Sequence, residues 1–445
     1  MPMTKRHQGQ RIAILGAGTS GVEAARLAVA DGAAWVGVYD SGNPNKLAPV
    51  VEMLEAEGIE AVTGDAALRA AEGLDLTVVS PGIDTRWPIA QSFAATGAQM
   101  IGEIEFAWRF CHCPVVAITG TNGKTTTTEL TAALLTAAGL KTVAAGNYGV
   151  AFSEVMRGGA EYDVITLEVS SFQLETIDTF RPRVAVWMNF APDHMDRYDR
   201  VEDYRQAKLR IFENQTADDW AVLNAGERPE AGQARAVTFS AFGAPADFEF
   251  VEGAIVFRGG HLLDFRQAKL KGKHNAENAM AALAAIQCLG VRLDSVIPDV
   301  LGYTPPRHRC EWAGDFDGKT FINDSKATNI HALASSLRGQ EAPVVLIVGG
   351  KNKGLDYSEV RESLPGSVTH VVCMGEIGGD IAAIWGGVVP CEVADSMDEA
   401  VQMAARAAKP GQTVLFSPGT SSFDRYSGYA ERGDDFRRAV AALVG

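Results

Sequence analysis

The stretch PVVAITGTNGKTT, Pro114 to Thr126, decides the reading of this chain. Its first half is a short, continuous apolar run, which predicts a strand of a parallel sheet buried on both faces. Its second half turns on Gly120 and Gly123 and then opens a helix. In such a turn the backbone N–H groups can wrap phosphates, Lys124 can reach the β- and γ-phosphates, and the Thr125 hydroxyl can ligate Mg²⁺. Ile118 stands where the general P-loop pattern has its first glycine, so the turn is a shorter and more specific form. Gly120, Thr121, Asn122, Gly123, Lys124, Thr125 and Thr126 are the candidate ATP site.

Outward from this loop, short apolar strands alternate with Ala-rich helical stretches, and the series starts three times. It begins at Arg11 (RIAIL), again near Pro114, and again after Pro305-Pro306 with PVVLIVG and THVVCM. This pattern predicts an α/β protein of three domains, 1–103, 104–305 and 306–445. At roughly 150 residues per domain, 445 residues agree with that count. The stretch from Ala234 to Leu270, rich in Phe and Gly, predicts a small antiparallel addition to the central domain. Ligands of such sheets collect beyond the carboxyl ends of the strands, where the informative loops also lie.

Hydrophobic residues make up 47% and charged residues 21%, which places the chain among globular proteins. The formal net charge of −15 argues against a nucleic-acid partner or a basic membrane surface. No apolar run approaches the roughly 20 residues that span a bilayer. The six cysteines have neither metal-site nor disulfide-framework spacing, and the polar N-terminus has no signal-peptide character. A cytoplasmic protein, monomeric and without a membrane partner, is the expectation.

Six further places carry chemistry. Gly16-Ala17-Gly18-Thr19-Ser20-Gly21 follows a strand and opens a helix, and Asp40 ends the next strand. That is diphosphate-binding geometry, compatible with NAD or simply with a tight turn. Glu168 ends the strand DVITLE, where a nucleotide enzyme keeps an acid for Mg²⁺ or water. His194, in DHMDRY, sits beyond the same sheet edge and is a candidate metal ligand. Lys208 shares a helix face with Tyr204, Ile211 and Phe212. Periodicity favours a packed stem whose amine snorkels to water, and the alternative is a buried amine that reacts with CO₂ to form a carbamate. Asn275 and Asn278 open an Ala-rich helix, either as caps or as adenine contacts. His308-Arg309 and the polar loop NDSKATN (Asn323 to Asn329) complete the set.

Taken together, TGTNGKTT, LEVSSFQLE, DHMDRY, YRQAKLRIF, HNAENAMAAL, INDSKATN and SPGTSSFD resemble the Mur ligases, and among them the D-glutamate-adding branch. The resemblance spans essentially the whole chain. It implies a Rossmann-like N-terminal domain for a UDP substrate, a central P-loop ATPase domain, and a Rossmann-like C-terminal domain that closes over the site. It also implies ATP-dependent amide formation between UDP-N-acetylmuramoyl-L-alanine and D-glutamate in bacterial cell-wall precursor synthesis, through an acyl phosphate.

Under the resemblance, Gly18, Thr19, Ser20, Asp40, Ser41, Ser80, Pro81 and Gly82 face the UDP substrate rather than NAD. Asn147 and Ser170 lie near its lactoyl-alanine arm. Lys124, Glu168, His194 and Lys208 are catalytic; two Mg²⁺ ions involve Thr125, Glu168, His194 and a carbamylated Lys208. Asn275, Asn278, Arg309 and Asp324 bind the nucleotide, and Lys326, Thr328, Lys353, Ser422, Phe423 and Tyr429 hold the glutamate. SPGTSSFD departs from the SPACAS form of many members, which bears on the choice of amino acid. L-glutamate or another amino acid is the alternative within the same chemistry, and an NAD-dependent oxidoreductase, resting on the first glycine loop alone, is a distant one.

Overall fold

Runs of apolar residues without alternation need cover on both faces, and this chain supplies it with helices between strands. The computed structural model describes residues 5–192, 197–304, 307–328, 330–338, 340, 342–352 and 357–444. The chain divides into two compact units between Tyr303 and Thr304.

The first unit holds two sheets. One comprises β1 (Arg11–Leu15), β2 (Trp35–Asp40), β3 (Glu60–Thr63), β4 (Leu76–Val79) and β5 (Gln99–Gly102). Its order is β3-β2-β1-β4-β5 and every pairing is parallel. The other begins with β6 (Val115–Thr119), β7 (Thr142–Gly146), β8 (Val164–Glu168), β9 (Val184–Trp187) and β10 (Trp220–Asn224). It continues with β11 (Arg235–Ser240), β12 (Phe248–Val251), β13 (Ala254–Phe257) and β14 (Gly260–Asp264). Its order is β14-β13-β12-β11-β10-β9-β6-β8-β7.

The second unit has one sheet, of β15 (Glu311–Phe316), β16 (Lys319–Asn323), β17 (Val344–Gly349), β18 (Val368–Met374), β19 (Cys391–Ala394) and β20 (Thr413–Phe416). Its order is β15-β16-β20-β17-β18-β19, parallel except for the β15–β16 pair.

The α/β class with parallel-rich sheets is thus as expected, with one correction. The stretch from Ala234 to Leu270 is not antiparallel throughout, because β11 pairs parallel with both β10 and β12. Only β12–β13 and β13–β14 are antiparallel. Residues 241–247 carry the chain back from the end of β11 to the start of β12, so a short loop makes a parallel step that strand composition does not announce.

Side-chain alternation along β6 decides how the central sheet is covered. Val116 and Ile118 point into a core shared with the helices Lys124–Ala137 and Lys273–Cys288. Val115 and Ala117 point to the opposite face, against Ile104, Phe152, Ile211 and Phe212. The helix Lys273–Cys288 is buried continuously from Ala276 to Ile286, which its many alanines allow by letting neighbours approach closely.

The short helix Glu103–Trp108 joins the two sheets of the first unit. Its Glu105 is fully buried and accepts from three consecutive backbone N–H groups, those of Asp178 (3.0 Å), Thr179 (2.9 Å) and Phe180 (2.8 Å). It also accepts from the Thr179 hydroxyl at 2.6 Å. A buried carboxylate satisfied in this way organises a loop that has no regular partner. Glu105→Ala strands these donors and is expected to destabilise the first unit by about 3–5 kcal/mol, measured by denaturant unfolding.

Candidate active site

Strand order in the central sheet reverses on either side of β6, which lies between β9 and β8. Loops leaving such a strand diverge from those of its neighbours and open a crevice. The β6 loop fills this position. Gly120 has φ +150° and a Cβ there would stand 2.8 Å from the Cβ of Met188; Gly123 has φ +81° and its Cβ would stand 2.3 Å from Asn278 Oδ1. Both positions therefore require glycine. Asn189, just past β9, clasps the loop, accepting from Asn122 N at 2.8 Å and donating to Asn122 O at 3.2 Å.

The helix Lys124–Ala137 starts here, and no side chain caps its N-terminus. Thr125 Oγ1 donates to Glu168 Oε2 at 2.5 Å, and Asn147 Nδ2 donates to Glu168 Oε1 at 2.8 Å. Lys124 Nζ donates back to the carbonyls of Gly120 (2.9 Å) and Thr121 (3.0 Å). Lys208 Nζ donates to the same Gly120 carbonyl at 2.9 Å and stands 4.6 Å from the Tyr204 ring. Two lysines, a carboxylate and a hydroxyl thus gather around one glycine-rich turn. Thr125 and Glu168 offer hard oxygen donors of the kind Mg²⁺ takes, so the residues present fit that ion.

In the first sheet the equivalent position is β1, between β2 and β4. Gly16 (φ +97°) lies under Ser80, whose Oγ donates to the Gly16 carbonyl at 3.3 Å. Asp40 accepts from Ala17 N and Gly42 N, both at 2.8 Å. The helix Thr19–Ala30 has Gly18 as N-cap with no side-chain cap, and Gly18 and Thr19 are exposed, which is the arrangement that receives a diphosphate. Ser41 and Gly82 are exposed beside this edge.

In the second unit β20 lies between β16 and β17. Asp324, just past β16, accepts from Ser417 Oγ at 3.0 Å, from Cys310 N at 3.2 Å and from Ser336 Oγ. Burial pushes its carboxyl above the usual range, opposed by Ser336 and the Arg309 charge. His308 (φ +67°) and Cys310 (φ +42°) flank Arg309 in left-handed backbone, a strained turn. Lys326 stands 5.4 Å from the Tyr429 ring; Ser422 is buried, Thr328 is half-buried, and Phe423 is exposed.

Comparison with known proteins bears on these arrangements. Residues 118–286 match the family model of the Mur ligase middle domain, and residues 308–419 match that of the Mur ligase glutamate ligase domain. The chain is 38% identical over 446 residues to a UDP-N-acetylmuramoylalanine–D-glutamate ligase of Geobacter metallireducens, covering 98% of both chains. It belongs to the Mur ligase family. An enzyme with the same name from Salinibacter ruber is 39% identical over 456 residues, again covering 98% of both. The solved structure of UDP-N-acetylmuramate-alanine ligase from Thermotoga maritima shares the fold, with a TM-score of 0.56 and 17% identity over 97% of this chain and 99% of that one.

Of the site residues expected for a Mur ligase, the first unit brings together Lys124, Thr125, Glu168, Asn147 and Lys208. Asn278 joins them, lying 3.4 Å from Thr127 Oγ1 and 3.0 Å from Asn275 Oδ1. His194 and Lys353 lie outside the described residues. Two of the alternatives open in the sequence are closed. Lys208 does not snorkel: it is 2% exposed and bonded to the loop. Asn275 and Asn278 do not cap their helix, which has Gly272 as N-cap without a side-chain bond.

Sequence reasoning missed Asn189 and Arg432, and it named Tyr204 only as a neighbour of Lys208 on its helix face. Arg432 is buried and donates to Ser325 Oγ (3.0 Å), Ser325 O (2.8 Å) and Thr420 O (3.0 Å), tying NDSKATN to SPGTSSFD. Burial lowers its pKa to about 10. One signal was available, the Gly433 that follows it inside a helix, where a Cβ would meet His308 Nδ1 at 2.2 Å.

Beside the loop, Glu277 is buried and accepts from Asn224 Nδ2 at 3.2 Å, and burial raises its carboxyl pKa above 4.5. A raised carboxyl pKa contributes stability below its unfolded value and loses it as pH climbs through the folded value. Glu277→Gln keeps the acceptor without the charge. Its melting temperature is expected to match the wild type near pH 4, to rise above it as pH climbs from about 4.5 through the folded value, and to keep that lead at higher pH, as followed by thermal unfolding across the pH range.

Proposed function

We propose that this chain uses ATP to join D-glutamate to UDP-N-acetylmuramoyl-L-alanine, a step of peptidoglycan precursor synthesis. The observation that carries this reading is likeness across 98% of its length to relatives named for that reaction. The cluster around Lys124, Thr125 and Glu168 supports the ATP half. We read the chain as three domains, 1–103, 104–305 and 306–445, a division supported by the three separate sheets. We read the protein as a monomer. Among the described residues, no helix is long and apolar enough to cross a membrane.

In the mechanism, the alanyl carboxylate attacks the γ-phosphorus of ATP, the bond to the β-bridging oxygen breaks, and ADP leaves an acyl phosphate. The glutamate amine then attacks the carbonyl carbon, and phosphate departs from the tetrahedral intermediate. Positioning and charge neutralisation dominate such a transfer. Backbone N–H groups from Gly120 to Thr126 cradle the phosphates, and Lys124 exchanges its two loop carbonyls for phosphate oxygens. Thr125 and Glu168 would hold one Mg²⁺, and His194 with a carbamylated Lys208 a second. When bound, the ions neutralise charge on the transferred phosphoryl group and on the entering carboxylate. The carbamate forms as the neutral Lys208 amine adds to CO₂ and releases a proton.

Gly18, Thr19, Ser20, Asp40, Ser41, Ser80, Pro81 and Gly82 would take the UDP end, with Asn147 and Ser170 near the alanyl arm. Asn275, Asn278, Arg309 and Asp324 would contact the nucleotide. Lys326, Thr328, Lys353, Ser422, Phe423 and Tyr429 would hold the glutamate.

The assay is ATP-dependent phosphate release with Mg²⁺ and UDP-N-acetylmuramoyl-L-alanine, comparing D-glutamate, L-glutamate and no amino acid. Release that requires D-glutamate is expected. Release with L-glutamate alone moves the protein to the other stereochemistry, and silence with all three overturns the reading. Lys208→Ala is expected to lose activity on the order of 100-fold or more, with partial recovery in acetate. Full activity in that variant overturns the carbamate.

A further inference from the structure

Between the two sheets of the first unit, Arg197 reaches out of the central sheet's loops to the loop that follows β4. Its Nη1 donates to Pro81 O at 3.0 Å and its Nη2 to Ile83 O at 3.4 Å. The same Nη2 donates to Glu175 Oε2 at 2.7 Å, and the guanidinium lies 4.2 Å over the ring of Phe172. The side chain is 12% exposed, so these contacts are made largely out of water. Arg86, on the β4 side, donates in return to the Arg197 carbonyl and to Asp84 Oδ2 at 2.8 Å. The two arginines therefore cross-link the two loops in both directions. A cavity of about 530 Å³ opens beside them, lined by Asp84, Arg86, Glu175, Arg197, Tyr198 and Arg210.

The two ends of this clasp are not arbitrary. Pro81 belongs to the loop proposed for the UDP end of the substrate. Phe172 lies two residues past Ser170, proposed for the alanyl arm, in the helix Ser171–Leu174 that Ser170 caps. Tyr198 stacks on Phe172 and packs against Tyr204, whose ring carries the Lys208 amine. One guanidinium thus connects the surface for one end of an extended substrate to the surface for its reacting end. A planar, five-donor group suits that task better than an ammonium, because it meets two carbonyls and a carboxylate at fixed angles.

We propose that Arg197 is a positioning residue that sets the distance between the UDP end and the acyl end of the substrate. The proposal rests on the function proposed above. A substrate held at one end and misplaced at the other loses rate on the order of 100-fold for a shift near 1 Å. Binding of either end alone does not need the clasp.

The test compares wild type, Arg197→Ala, Arg197→Lys and Glu175→Gln in the full chain, with UDP as a competitive inhibitor reporting the UDP end. For Arg197→Ala, kcat/KM for UDP-N-acetylmuramoyl-L-alanine is expected to fall on the order of 100-fold. The inhibition constant of UDP and the KM for ATP are expected to stay within about twofold of wild type. Arg197→Lys recovers part of the loss, since it keeps a charge and one carbonyl contact, and Glu175→Gln shows a smaller loss of the same pattern. Wild-type kinetics in Arg197→Ala overturn the proposal. So does a loss that weakens UDP, ATP and the full substrate alike with a lowered Tm, which marks a merely structural role. If Arg197→Ala does not fold, the same split read in Arg197→Lys and Glu175→Gln decides. A wild type silent in the phosphate-release assay overturns the proposed function itself, and this proposal with it.

Discussion

A buried carboxylate must be met by donors, and Glu168 obtains its donors from two different loops. Thr125 approaches from the turn after β6 and Asn147 from the turn after β7, so neither loop is free to settle without the other. Because the strands are parallel, all of these turns leave the sheet on one edge. The strand order then separates the turns of β6 and its neighbour β9, and Asn189 bridges that gap. The position of Lys208 follows from the same constraint, since its partner is the carbonyl of Gly120 within this turn.

The other two sheets solve the same problem with the same parts. Asp40 at the end of β2 ties down the turn after β1 through Ala17, and Asp324 past β16 accepts from Ser417 past β20. In each sheet an acid stands next to the strand where the order reverses, and it accepts from the turn of that strand. Each turn also contains a glycine against which a neighbour packs closely: Gly16 under Ser80, Gly120 against Met188, Gly419 against Leu333. The acid fixes where the turn goes and the glycine lets it approach. What differs is what remains open. The first sheet presents uncapped helix N–H groups, the second adds lysines and a hydroxyl, and the third surrounds Asp324 with hydroxyls and Arg309.

Much of this was legible along the chain. The two glycine loops and the acids at strand ends lie within single short segments, where local pattern carries the chemistry. Legibility failed where a partner is distant in sequence. Periodicity along the Lys208 helix leaves a snorkelling amine and a buried one both open, because it gives no sign of the Gly120 carbonyl, 88 residues earlier. Asn275 and Asn278 could be read as caps or as adenine contacts, because helix starts favour Asn, and only the structure shows that Gly272 takes the cap. Arg197 and Arg432 are arginines among many, and only their carbonyl partners distinguish them.

The sequence by itself determined the class of the fold, the three series of strands, the glycine-rich turns and the acids that accompany them. These depend on the period of apolar residues and on backbone conformations that only glycine adopts easily, both of them local. Tertiary structure alone decided the strand orders, the parallel pairing of β11, the burial of Lys208 and the clasp between Arg197 and the loop after β4. Each of these is a choice of partner across tens of residues, made by packing and by the need to satisfy buried charges, and no local pattern records it.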